Sequence, residues 1–220
     1  VANHNHPTQV VLSGATAEVE RVERHLTGKG VTVRRLPVAN AFHSPLVAPA
    51  VPVFEDFLST LKFSAPEVPV WSGAEVAHYS HEAGAIRKLL AGAIARPVRF
   101  VEQVEAMYAQ GVRTFVEVGP GAVLGDLVGR ILEGRPHTAI ALDRRGKHGV
   151  SCMQEALGRL ATLGVAVDFN NVLSAGFAPP VTSVGKKKPA MTIMINGANH
   201  GKPYPPPGGA AALPKANAAR

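Results

Sequence analysis

The chain has 220 residues, 46% of them apolar, with 23 Lys and Arg against 16 Asp and Glu and a formal charge of +7. This suits one or two globular domains with a sizeable core. A single cysteine, Cys152, excludes an internal disulfide framework, and no apolar run nears the roughly 20 residues of a membrane span, nor is there a charged-then-apolar leader, so a cytoplasmic protein is expected. The basic excess does not argue for nucleic acid: residues 178–220 hold six basic residues and no acid, leaving 17 basic against 16 acidic elsewhere, with no basic stripe interleaved with aromatics.

Val1 to Pro7 is a polar approach rich in His and Asn. Gln9 to Gly14 is β-rich and closed by glycine, hence a strand. Thr16 to Gly28 carries Val19, Val22 and Leu26 at helical spacing and stops at Gly28-Lys29-Gly30. Val31 to Val38 alternates apolar and basic residues, the pattern of a half-buried strand. Residues 1–38 therefore read as strand–helix–strand, too little for a domain alone.

Asn40-Ala41-Phe42-His43-Ser44-Pro45-Leu46 then joins strand to helix and carries an imidazole and a hydroxyl. Loops on a rigid α/β scaffold often hold catalytic groups, and imidazole titrates near neutral pH; an isolated loop histidine, equally, needs no duty. Ala50, Val53, Phe54, Phe57, Leu58 and Leu61 trace a helical stripe whose start is restricted by Pro49 and Pro52. Val68 to Gly73 reads as a short strand, and His81 to Ala95 as a helix weakened by Gly84 and Gly92. Arg96-Pro97-Val98-Arg99-Phe100 breaks it, and another helix runs to Gln110-Gly111. Thr114 to Val118 is a buried-type strand feeding Gly119-Pro120-Gly121 and an amphipathic helix with Val123, Leu124, Leu127, Val128 and Ile131, which is α/β grammar. Thr138 to Leu142 is a strand, about Val150 to Leu163 a helix, and Val165 to Phe169 closes the folded part. Residues 178–220 are a Pro/Gly/Ala/Lys-rich linker, with one short strand at Met191–Ile195.

Several chemistries fail on spacing. His4, His6, His78 and His81 lack the companion ligands of a zinc site, so no metal is expected. Gly119-Pro120-Gly121-Ala122 lacks the Lys-Ser/Thr of a phosphate loop, and tight turning explains it. A histidine base needs a nucleophile within hydrogen-bond reach, yet no serine completes a Gly-x-Ser-x-Gly elbow. Cys152 lies in an apolar helical stripe and reads as core. The chain thus shows a base without a visible nucleophile.

Four stretches carry a resemblance. In order they are Asn5-His6-Pro7-Thr8-Gln9-Val10-Val11-Leu12-Ser13-Gly14, Ala41-Phe42-His43-Ser44-Pro45-Leu46, Arg96-Pro97-Val98-Arg99-Phe100, and Phe115-Val116-Glu117-Val118-Gly119-Pro120-Gly121-Ala122-Val123-Leu124. Together they resemble the C-terminal part of a malonyl-CoA:acyl-carrier-protein acyltransferase domain, as found in type I polyketide synthases and polyunsaturated fatty acid synthases. The segment from Ile195 to Pro206 is similar to the stretch C-terminal to that domain in the polyunsaturated fatty acid synthases.

The resemblance implies an α/β-hydrolase-like fold. Residues 1–38 would be part of a ferredoxin-like subdomain, 39–177 the C-terminal part of the hydrolase-like subdomain, and 178–220 a linker. It implies a Ser–His dyad that moves malonyl from coenzyme A to the phosphopantetheine of an acyl carrier protein, with no cofactor held covalently by this chain. His43 matches the dyad histidine, Phe42 a position tied to malonyl choice, and Asn5 a segment bordering the cleft. Ala93 stands where the family often has glutamine; if its backbone carbonyl orients the histidine, alanine serves as well, and if the side chain matters, the dyad is weakened. The elbow serine, oxyanion amides and carboxylate-clamping arginine lie upstream in the family, so the upstream half of the domain is an expected partner and the isolated chain is expected to be inactive. The alternative is a non-catalytic scaffold or carrier-docking module.

Overall fold

The structure, a computed structural model, describes residues 1–172. Residues Val1–Val167 form one unit. It opens with an antiparallel hairpin of β1 (Asn3–His6) and β2 (Gln9–Val11), irregular between His4 and His6. The polar approach expected at residues 1–7 is therefore a strand. Its Asn and His residues have poor strand propensity, but pairing across the hairpin and with Val98 overrides it: the Val98 N–H donates to Ala2 O at 2.8 Å and the His4 N–H to Val98 O at 3.0 Å.

Helix α1 (Thr16–Gly28) follows as its stripe predicts. Gly30, at φ 76°, takes the left-handed conformation, and the Val31 N–H returns to Leu26 O at 3.0 Å, closing the helix end. The strand expected over Val31–Val38 is not formed. Alternation marks which side chains would face a sheet but supplies no neighbouring strand, and here Val31, Val33, Leu36 and Val38 are all exposed.

Helix α2 (Ala50–Ser59) is followed by a two-residue pair, β3 (Trp71–Ser72) and β4 (Ala77–His78). The strand expected from Val68 to Gly73 shrinks to its last pairable residues. Helix α3 (Ala83–Gly92) tightens into a 3-10 turn at Ala93–Ala95, in place of the one continuous helix expected. Pro97 explains the stop, because the residue before a proline is driven out of the helical region, and Arg96 sits at φ −110°, ψ 149°.

The remainder is a βαβ unit on a helix. Helix α4 (Phe100–Ala109) leads to β5 (Thr114–Glu117), α5 (Val123–Ile131) and β6 (Thr138–Ala141), with β5 and β6 parallel and in register from Thr114–Thr138 to Glu117–Ala141. The core lies between these elements. Val104 of α4, Val128 and Ile131 of α5, and Leu132 are buried against Phe115 and Ala139. Burying one such side chain contributes about 1.5–3 kcal/mol. Helix α6 (Gly149–Thr162) packs on β6 and buries Cys152 and Ala156.

The turn into α5 needs glycine at one place: Gly121 has φ 112°. No side chain at Ala122 caps α5. The Glu117 carboxylate does so instead, from the end of β5, accepting the Gly125 N–H at 2.8 Å. Residues from Asp168 belong to a second unit, of which α7 (Phe169–Val172) is described; Asp168 accepts the Asn171 N–H at 3.1 Å. The linker expected over 178–220, its strand at Met191–Ile195 and the Ile195–Pro206 similarity lie outside the described residues. Among the described residues no helix is long and apolar enough to cross a membrane.

Candidate active site

His43 is held in an unusual backbone conformation, φ 60°, which costs a non-glycine residue about 1–2 kcal/mol. Three carbonyls at the end of α3 hold it there. Its N–H donates to Ile94 O at 2.8 Å. Its ring Nδ1 lies 3.1 Å from Ala93 O and 3.0 Å from Arg96 O. Both neighbours are pure acceptors, so Nδ1 must carry the proton. In the neutral ring the lone pair then sits on Nε2, the nitrogen that a base uses.

The 3-10 turn makes this convergence possible. A continuing α-helix would direct the Ala93 and Arg96 carbonyls along its axis. Pro97 forces Arg96 extended instead, and the Arg96 carbonyl swings towards the ring. The turn is itself tied down, since the Arg99 N–H donates to Gly73 O at 2.9 Å and Val98 pairs with β1.

The neighbours of His43 divide sharply. Phe42 is 51% exposed. Ser44 is buried, and its hydroxyl is committed to the backbone: it donates to Ala41 O at 2.6 Å and accepts the Leu46 N–H at 3.3 Å, capping the 3-10 turn Pro45–Val47. It is not placed to be a nucleophile. Asn5, on β1, donates its side-chain amide to Gln9 Oε1 at 3.3 Å. The structure therefore joins His43 to Ala93, leaves Phe42 open beside them, and pairs Asn5 within its own hairpin.

Two further groups near His43 are not singled out as site residues by the sequence. The Arg96 carbonyl matters because of its place before Pro97, which is visible in the sequence, although its direction is not. Glu75, in the β3–β4 turn, pairs with the Arg96 guanidinium. Close by, Arg99 is held above its ordinary arginine value, first by a hydrogen bond to Glu102; desolvation opposes this, and the charges of Glu102 and Glu75 add to it. Among the described residues no three His, Cys, Asp or Glu side chains gather as a metal site.

A mixed α/β scaffold presenting a backbone-oriented imidazole on a loop defines the class, and the one serine next to that histidine, Ser44, has its hydroxyl committed to the backbone. More narrowly, the chain belongs to the acyl transferase domain family, whose model matches residues 1–167. It is 39% identical over 166 residues to the polyketide synthase GfsA of Streptomyces halstedii, covering 75% of this chain and 2% of that one. It is 39% identical over 133 residues to the polyketide biosynthesis malonyl CoA-acyl carrier protein transacylase BaeC of Bacillus velezensis, covering 60% of this chain and 45% of that one. The acyltransferase domain from the second module of the salinomycin polyketide synthase superposes with a TM-score of 0.68 at 32% identity, over 81% of this chain and 43% of that one. The chain thus spans less than half the length of these relatives.

Proposed function

We propose that this chain supplies the histidine half of a malonyl-transferring acyltransferase site. The carrying observation is the Nδ1 of His43 bound between Ala93 O and Arg96 O, which leaves Nε2 as the proton acceptor. A serine from the part of the domain not represented in this sequence attacks the malonyl thioester, and His43 Nε2 takes its proton. The same proton goes to the departing coenzyme A thiolate. In the second half the carrier's phosphopantetheine thiol gives its proton to His43 and its sulfur to the malonyl carbonyl, and the serine leaves as hydroxyl. This is ping-pong transfer, with one imidazole as base and acid in turn. Phe42 crowds an α-methyl group on the acyl chain and so favours malonyl. Asn5 borders the cleft from the β1–β2 hairpin. Similarity to a named malonyl CoA-acyl carrier protein transacylase supports both substrate and partner, and the setting is cytoplasmic.

The β5–β6 sheet supports a missing complement. Parallel sheets are normally covered on both faces, yet Val116 of β5 is exposed, as is Val118 just past the strand's end. An apolar cleft of about 160 Å³ opens beside β5, lined by Phe100, Met107, Phe115, Leu124 and Val128 among others. The rest of an acyltransferase domain is the natural cover.

The test is labelling with radioactive malonyl-CoA. The isolated chain should acquire none. Joined to a segment bearing the Gly-x-Ser-x-Gly elbow it should, and His43→Ala should slow labelling by about 10²–10⁴, the usual worth of a general base. Labelling that proceeds undiminished in His43→Ala removes the base role. In the same assay, Phe42→Ala should raise methylmalonyl use relative to malonyl by roughly tenfold or more, the worth of about one methyl group in a pocket.

A further inference from the structure

The carbonyls that orient His43 belong to a turn braced from the opposite side. The β3–β4 turn grips the 96–99 segment twice: Gly73 O accepts the Arg99 N–H at 2.9 Å, and Glu75 pairs with the Arg96 guanidinium. The turn is a firm anchor. The side chain of Ser72, only 2% exposed, accepts the Glu75 N–H at 3.3 Å, and Ser72 O accepts the Val76 N–H at 2.9 Å. Val76 itself is locked at φ 56°. The Arg96 side chain crosses Gly92, where a Cβ would lie 3.6 Å from Arg96 Nε, so the guanidinium has packing under it as well as a charge before it.

We infer that Glu75 is a positioning residue for His43, acting through Arg96. Arg96 is the hub. Its side chain is held by Glu75 and packs over Gly92, its φ and ψ are kept in the extended region by Pro97, and its carbonyl accepts from His43 Nδ1 at 3.0 Å. Removing the carboxylate frees the guanidinium, lets the Arg96 peptide rock, and loosens one of the two acceptors that hold the proton on Nδ1. Ala93 O then holds the ring alone. The proton redistributes towards Nε2, the nitrogen that must stay bare to act as a base.

The inference rests on His43 being that base, and the readout separates the two ideas. With histidine-labelled chain, ¹⁵N NMR at a pH where the rings are neutral reports the tautomer of each imidazole, and His43→Ala assigns the signal. Wild type should show His43 mainly as the Nδ1–H form. Glu75→Gln should lower the ratio of Nδ1–H to Nε2–H by roughly twofold to fivefold, the range that an exposed ion pair spans. Arg96→Met should do the same, Glu75→Asp should recover part of the loss, and Glu102→Gln, which breaks the neighbouring pair with Arg99, should leave it alone. An unchanged ratio in both Glu75→Gln and Arg96→Met overturns the positioning role. So does a Glu102→Gln effect of equal size, which would mark general loosening. A wild-type ring protonated on Nε2 instead removes the base reading itself, whatever Glu75 does.

Discussion

The left-handed backbone at His43 can be weighed by substitution. His43→Ala removes the Nδ1 bond to Ala93 O and Arg96 O but keeps a Cβ at φ 60°. His43→Gly removes the same bond and also the strain. The lost bond costs both variants about 0.5–1.5 kcal/mol. Relief of the strain returns about 1–2 kcal/mol to glycine, less about 0.5–1 kcal/mol for the extra freedom of glycine in the unfolded chain. Glycine should therefore be the more stable variant by up to about 1.5 kcal/mol, or up to roughly 6 °C in Tm for a unit of this size. At an ordinary position the order is the reverse, so the sign alone decides. Urea unfolding followed through the single tryptophan, Trp71, measures both variants against wild type. If alanine proves the more stable, residue 43 does not sit in the left-handed region, and the imidazole is not aimed by the backbone as described.

Glu117→Ala should lose the cap of α5 and cost about 0.5–2 kcal/mol in urea unfolding, whereas Val116→Ala on the exposed face of the same strand should cost much less; equal effects would deny the cap. Glu105 is held below the usual carboxylate range, first by the hydrogen bond it accepts from Arg135 at 2.6 Å; desolvation opposes this and the Arg135 charge adds to it. A depressed folded value means that its contribution is fully present above the unfolded carboxylate value of about 4.3. That contribution is lost as pH falls through and below it. Wild type should thus exceed Glu105→Gln in stability at pH 7, and the gap should close as pH drops below about 4 and shrink in high salt because the pair is half-exposed. A gap that is constant from pH 7 to 3 rules the pair out as its source.

Periodicity is informative where a single helix or a buried parallel strand decides its own pattern. Val19, Val22 and Leu26 place α1, whose stripe is only partly covered, and Val123 to Ile131 place α5, where Val128 and Ile131 are buried, because helical spacing gathers a stripe on one face whatever covers it. The same logic fails at Val31–Val38. A strand is completed by hydrogen bonds to another segment, and alternation carries no record of whether that segment is present. The Asn3–His6 strand fails in the opposite direction, since partners at Val98 and β2 recruit residues that would not choose an extended pairing alone.

The site is legible in part. The order of the four stretches points to His43, while the place of Ala93 leaves open whether its carbonyl or its side chain would matter. What the local sequence determines is therefore chemical identity: an imidazole on a loop, a proline after Arg96 that ends a helix, glycine at 121 where the chain must turn. What only the tertiary structure decides is direction. The nitrogen of His43 that bears the proton depends on two carbonyls about fifty residues away, and Arg96 meets Glu75 across twenty-one residues of chain. Side-chain type is a property of one position, but a lone pair's aim is set by whichever distant groups the fold brings within hydrogen-bond reach.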